Sequence, residues 1–144
     1  MTNSDLSQGV IANAWFLREL AIISGAKHVP PDYLVLNDEM NRFIELYMSR
    51  DAKEMHLITR AARVHGDFVK IHPFIDGNGR TARLLLNFEL MKSGYPPIVI
   101  QNEKRMTYSA ALDKAHTTGD YGDFISIVEK EVENSLNIYL SLIK

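Results

Sequence analysis

The sequence predicts an all-α fold for this chain of 144 residues. Along most of its length, apolar residues recur at intervals of three and four, the spacing that turns one face of a helix toward a core. The only run with the character of a strand is Leu20–Ile23, and the turn signal Ser24-Gly25 follows it. With 46% apolar residues, the chain can bury one core without disulfides. We therefore expect a single domain over residues 1–144.

Composition excludes several classes of protein. The chain has no cysteine, which rules out a disulfide framework, a zinc finger and thiol catalysis. Its formal net charge of −2 is unlike that of a general nucleic-acid binder. No apolar run is long enough to span a membrane, and the first fifteen residues carry neither the charge nor the apolar stretch of a secretory signal. These features predict a cytoplasmic protein with no nucleic-acid or membrane partner.

Five helices are predicted between residue 37 and the C-terminus. They are 38–49 capped by Asn37, a longer helix from a cap at Asp51 to about Lys70, a third from about Gly79 to Ser93, 103–117 capped by Asn102, and Phe124–Ile143. The third helix is followed by Gly94 and by Pro96-Pro97, which stop a helix. Its apolar surface is very wide, and this predicts a central helix buried nearly all round. Residues 17–31 are predicted to form a surface hairpin or loop.

Residues 72–83, with the sequence HPFIDGNGRTAR, concentrate groups that bind phosphate. Gly77-Asn78-Gly79 can place successive residues at positive φ and point their N–H groups into one concavity. A helix follows at once, so that its N-terminus faces the same place. Arg80 and Arg83 are three residues apart and share one helix face. This combination suits a polyphosphate better than a single carboxylate.

Two further residues of the segment suggest chemistry. Asp76 stands where a carboxylate would repel phosphate unless a cation lies between them, and Mg²⁺ is the usual solution. His72, at the edge of the segment, suits a general base acting on a hydroxyl nucleophile. The pattern predicts nucleotidyl or phosphoryl transfer. Each feature alone has a simpler interpretation, such as a turn or a helix cap at Asp76, and Phe74 and Ile75 are expected to anchor the loop in the core.

The same twelve residues resemble the motif of the Fic family, His-x-Phe-x-Asp/Glu-Gly-Asn-Gly-Arg-x-x-Arg, at every defined position. The resemblance extends to the flanking segments 64–71 and 84–97, to 105–112 with Gly119-Asp120, and upstream to 17–31, so that it covers roughly residues 14–143. It implies a Fic-type helical bundle, with a buried central helix after the motif loop and a short β-hairpin flap at roughly 17–31.

The resemblance also implies an activity, the transfer of AMP from ATP to a Tyr, Thr or Ser hydroxyl of a target protein with Mg²⁺. In that reaction His72 would be the base and Asp76 would hold the metal. The phosphates would be bound by Gly77, Asn78, Gly79, Arg80 and Arg83. The flap would pair with the target through Arg18, Leu20, Ala21, Ile22 and Ile23, and the adenine pocket would include Tyr108 and His116. Phosphorylating Doc-type relatives carry Lys where this chain has Arg80, which favours adenylyl transfer.

Alternatives remain open at this stage. The same site could remove AMP or transfer another phosphate-linked group, or the chain could be a regulated toxin-type module that only binds nucleotide. A homodimer, an inhibitory helix and an antitoxin-like partner are also open. The inhibitory motif of the family, Ser/Thr-x-x-x-Glu-Gly/Asn, has no match before residue 72. Glu133-Asn134 has its final pair, but Glu129 stands in place of Ser or Thr, and we interpret this stretch as a solvated helix face.

Overall fold

A computed structural model describes residues 27–101 and 104–144, which fold as helices joined by loops. After a short 3-10 helix, Tyr33–Val35, the helices are α1 (Leu36–Met48), α2 (Arg50–Glu54), α3 (Leu57–Ile71), α4 (Asn78–Lys92), α5 (Arg105–Thr118) and α6 (Gly122–Ile143). The described ranges contain no strand, which confirms the all-α class. The strand-like run at Leu20–Ile23 and the predicted cap Asn102 lie outside them.

The helix at the centre of the bundle is α3. It packs against α1, α4, α5 and α6. The residues that it buries are Ala61, Ala62, Val64, His65, Gly66, Phe68 and Ile71. Many of these side chains are small or polar, so the hydrophobic pattern of the sequence understates how deeply this helix is buried.

The prediction that the helix after the motif loop is buried nearly all round is wrong. One face of α4 is buried through Ala82, Leu86 and Leu90. On the opposite face Leu84 is 71% exposed and Phe88 is 61% exposed. The apolar residues of α4 are more numerous than one packed face can cover, and the central position belongs to the preceding helix.

The predicted long helix from Asp51 to Lys70 is broken in two. Met55 and His56 are extended, with ψ of 141° and 133°, and separate α2 from α3. The cap of α2 is Ser49, whose hydroxyl oxygen accepts the N–H of Ala52 at 3.3 Å, and Asp51 lies in the first turn. Asn37 likewise lies inside α1. Neither glycine nor proline marks the break, so the sequence offers no local signal for it.

A carboxylate on α3 joins three helices. Asp67 accepts a hydrogen bond of 2.5 Å from the hydroxyl of Tyr47 on α1, and a second from Tyr121, which precedes α6. The ring of Tyr121 lies against Gly66, where an added Cβ would come within 2.4 Å of the ring carbon Cε1. Only glycine at position 66 leaves room for this ring.

None of the helices in the described ranges is long and apolar enough to cross a membrane.

We predict that Gly66→Ala destabilises the protein, although alanine is favoured over glycine within a helix by about 1 kcal/mol. The new methyl group collides with Tyr121, and overpacking of this kind costs about 1–3 kcal/mol. Denaturant unfolding measures the change. As a control, the same substitution in a Tyr121→Ala background should be neutral or stabilising. An equal loss in both backgrounds would show that the Tyr121 ring is not the cause.

Candidate active site

The candidate site is the loop between α3 and α4. Helix α3 ends at Ile71, and its C-cap is His72, whose backbone is left-handed with φ 53° and ψ 57°. Among the described residues, His72 is the only non-glycine residue at positive φ. This conformation is unfavourable for a side chain with a Cβ, and such strain is often found at functional sites. The buried Pro73 follows and prevents the helix from continuing.

The first turn of α4 presents backbone donors toward this loop. Gly77 is the N-cap, with φ 87°, and as a glycine it has no side chain to cap the helix. The first backbone bond of α4 joins the N–H of Thr81 to the carbonyl of Gly77 at 2.9 Å. The N–H groups of Asn78, Gly79 and Arg80 therefore have no partner within the helix. We expected successive positive φ angles across Gly77-Asn78-Gly79. That expectation is wrong, since Asn78 and Gly79 are helical.

The side chain of Asn78 closes the loop. It is 4% exposed, and its oxygen accepts the N–H of Phe74 at 2.8 Å while its nitrogen donates to the carbonyl of Phe74 at 2.7 Å. Phe74 and Ile75 are 47% and 42% exposed, so the expectation that they anchor the loop in the core is wrong. The loop is held by the two hydrogen bonds of one buried amide.

Asp76 and Arg80 form an ion pair at the mouth of the loop. One carboxylate oxygen of Asp76 accepts the N–H of Gly77 at 2.8 Å, and the other lies 3.0 Å from Nη2 of Arg80. Both side chains are exposed, at 89% for Asp76 and 73% for Arg80. An exposed pair contributes about 0–1 kcal/mol, so each partner can exchange the other for a ligand at little cost.

The donor set at this position suits one kind of metal ion. Within the part of the chain that the structure describes, no three acidic or histidine side chains group together as a metal site would require. A single exposed carboxylate fits Mg²⁺, which keeps several waters and takes its other ligands from phosphate oxygens. It does not fit zinc, whose protein sites use three or four ligands.

Arg83 has a different partner from Arg80, although the two were predicted to share one face. Its guanidinium carbon lies 6.0 Å from the centre of the Tyr108 ring. Its Nη1 lies 4.0 Å from the point where a Cβ on Gly79 would stand, so the side chain runs back along the first turn of α4. The hydroxyl of Tyr108 in turn lies 2.5 Å from Nε2 of His65.

His116, predicted beside Tyr108 in one pocket, contacts Gly66 of α3, the residue next to the His65 that contacts Tyr108. Its Nε2 donates to the carbonyl of Gly66 at 2.8 Å, and its ring lies 5.1 Å from that of His28. Burial lowers the pKa of His116 to about 4. Tyr108 lies about two helical turns from His116 along α5.

Sequence reasoning missed how the N-terminal segment is attached. A carboxylate oxygen of Asp113 on α5 accepts the N–H groups of Lys27 and His28 at 3.0 and 3.2 Å. Nε2 of His28 also donates to the carbonyl of Lys70 at 3.0 Å. Bonds from side chain to backbone between residues 42 to 86 positions apart leave no periodic signal in the sequence. The predicted flap residues Arg18, Leu20, Ala21, Ile22 and Ile23 lie outside the described residues.

A cleft of about 230 Å³ lies between α1, α3 and the segment that begins at His28. Phe43 and Leu46 of α1 line one wall, and Lys70 and Ile71 line the other. The cleft therefore reaches the residue directly before His72.

Known proteins identify the family. Residues 6–90 match the sequence model described as the Fic/DOC family. This chain belongs to the Fic/DOC family. It is 43% identical over 114 residues to "Protein adenylyltransferase Fic" of Nematostella vectensis, and 41% identical over 125 residues to the protein of the same name from Drosophila ananassae. These matches cover 79% and 87% of this chain, but 26% and 24% of the relatives. The chain thus spans about a quarter of their length.

Solved Fic structures share the fold. Fic-1 from C. elegans superimposes with a TM-score of 0.72 at 37% identity, over 80% of this chain and 34% of that one. A Fic domain containing signaling protein from Bacteroides thetaiotaomicron gives a TM-score of 0.67 at 27% identity, over 86% of this chain and 60% of that one. The resemblance seen in the motif of residues 72–83 is confirmed.

We predict that this Fic domain loses stability in acid partly through His65, which is fully buried. Burial lowers its pKa from 6.5 to about 4. Because the unfolded chain takes up the proton first, stability is complete above pH 6.5 and falls as the pH drops toward 4. At pH 4.5 this amounts to roughly 2–3 kcal/mol.

Urea unfolding at pH 7.0 and pH 4.5 tests this effect of pH. The difference in unfolding free energy between the two pH values should shrink in His65→Gln. It should be unchanged in His56→Gln, because His56 is exposed. An equal difference in all three proteins would show that His65 is not a source of the acid sensitivity.

Proposed function

We propose that this chain transfers AMP from ATP to a hydroxyl group of a protein. The observation that carries the proposal is that one loop brings together a proton acceptor and a helix N-terminus that can bind phosphate, and this reaction needs both. His72, at the C-terminal end of α3, can accept a proton, and the first turn of α4, which has no side-chain cap, begins six residues later. The Fic relatives of this chain, named protein adenylyltransferases, support the same reaction.

The phosphates of ATP would bind at the start of α4. The free N–H groups of its first turn and the positive end of its dipole attract anionic oxygens. These donors are fixed before the ligand arrives, since Asn78 holds the loop. Preorganised donors of this kind stabilise the charge that develops on the α-phosphate during transfer. Arg80 would bind the β-phosphate and Arg83 the γ-phosphate, each through forked guanidinium hydrogen bonds.

His72 would accept the proton of the target hydroxyl. The hydroxyl oxygen forms a bond to the α-phosphorus, the bond from that phosphorus to the bridging oxygen breaks, and pyrophosphate leaves. The proton passes to the imidazole and then to solvent.

Asp76 would hold Mg²⁺, which neutralises part of the charge of the triphosphate when bound. The exposed Asp76–Arg80 pair supports this role, because an exposed ion pair is weak and each side chain can leave the other at little cost when nucleotide binds. The carboxylate would turn to the metal and the guanidinium to the β-phosphate. The target would enter past residues 18–23, which we propose pair with its backbone as an added strand.

We predict that His72→Ala leaves ATP binding nearly unchanged and slows AMP transfer. The imidazole acts on the incoming hydroxyl and holds no phosphate, and general-base catalysis contributes about 10²–10⁴-fold. Calorimetry measures ATP affinity, and label from α-labelled ATP on protein measures transfer, with Mg²⁺, a cell lysate and the purified chain. His56→Ala serves as the control.

Three outcomes would contradict the proposal. Undiminished transfer by His72→Ala would remove His72 from catalysis. Label transferred from γ-labelled but not α-labelled ATP would indicate phosphorylation. No label from either nucleotide, with ATP still bound, would indicate a binding module.

A further inference from the structure

Tyr108 lies in an aromatic cluster that fixes its ring. The ring centres of Tyr108 and His65 are 5.7 Å apart, and those of Tyr108 and Phe124 are 5.6 Å apart, both edge to face. His65 stacks on Phe124 with centres 5.2 Å apart, and both side chains are fully buried. The hydrogen bond of 2.5 Å between the Tyr108 hydroxyl and His65 Nε2 sets the remaining rotation of the tyrosine. Three helices, α3, α5 and α6, thus hold this one ring.

Both partners of that hydrogen bond are neutral at pH 7. Burial lowers the pKa of His65 to about 4 and raises the pKa of Tyr108 to about 12. The hydrogen bond that holds the Tyr108 ring therefore places no charge beneath the guanidinium of Arg83.

Arg83 is exposed, and the ring of Tyr108 is the support that the structure gives its guanidinium. A cation over an aromatic face is attracted by the ring quadrupole. A free arginine side chain loses rotamer entropy when it is fixed. A side chain that already rests on a ring, along the first turn of α4, loses less of that entropy when it binds a ligand.

We propose that Tyr108 and His65 are positioning residues that hold Arg83 for the terminal phosphate of the nucleotide. Tyr108 supplies the face on which the guanidinium rests, and His65 locks that face in place. This inference rests on the proposed function, in which Arg83 binds the γ-phosphate. It differs from the assignment of Tyr108 to the adenine pocket.

The two assignments of Tyr108 predict different nucleotide affinities. Adenine is common to ATP and ADP, so a residue that contacts only the base affects both equally. The γ-phosphate is present in ATP alone, so a residue that positions Arg83 affects the ratio of ATP affinity to ADP affinity. A role confined to fold stability would not change this ratio either.

Calorimetry with ATP and with ADP, both with Mg²⁺, tests the inference on the full chain. Arg83→Ala should lower the ratio of affinities about tenfold or more, the loss of a charge-assisted contact. Tyr108→Leu should lower it about two- to fivefold. Adding Tyr108→Leu to Arg83→Ala should lower it no further. Tyr108→Phe, which keeps the ring but loses the hydrogen bond to His65, should fall between wild type and Tyr108→Leu. Met106→Ala, on an exposed part of α5, is the control.

Two results would overturn the inference. If Tyr108→Leu weakens ATP and ADP by the same factor, and does so again in the Arg83→Ala background, Tyr108 contacts the base. If Arg83→Ala leaves the ratio unchanged, the role of Arg83 in the proposed function fails, and the inference fails with it. If instead the ratios change as expected but no AMP transfer is found, the reaction fails while the positioning role stands.

Discussion

The candidate site depends on one buried side chain, the amide of Asn78. It satisfies both backbone groups of Phe74 and so converts the loop after α3 into a closed turn. The same residue is the first of α4, so the turn and the helix N-terminus move as one unit. A buried amide left without these partners would cost about 1–3 kcal/mol, which favours a single loop conformation. The donors of the first turn are in place for a ligand because this bond pair exists.

The bundle supports that loop from α3. This helix contacts four other helices, and its last residue before the loop, Ile71, is buried. Asp67, one turn earlier, ties α3 to Tyr47 and Tyr121. His72 therefore directly follows the end of a packed helix and is not carried by the middle of a loop. In the proposed reaction, a base held in this way would meet a phosphate bound at α4 with little rearrangement.

The sequence predicted the all-α class, the later helices to within two or three residues, and the twelve-residue motif. It did not predict which helix is central, because α3 buries Ala61, Ala62 and Gly66 and periodicity counts large apolar residues. The break at Met55-His56 carries no glycine or proline and so gave no signal. The motif predicted phosphate-binding residues but not the two hydrogen bonds by which Asn78 closes the loop, since a Gly-Asn-Gly pattern indicates backbone φ angles and not side-chain bonds. The contacts of Asp113 and Tyr108 join residues far apart in the sequence, so the spacing of neighbouring residues does not predict them.

The most direct test of this account is amide hydrogen exchange at Phe74 in the wild-type chain and in Asn78→Ala. If the buried amide holds the loop, the N–H of Phe74 is protected in the wild type. In Asn78→Ala it should exchange many times faster, while buried amides of α3 such as that of Ala62 keep their rates. Equal protection of Phe74 in both proteins would show that the loop keeps its shape without Asn78, and would contradict the account.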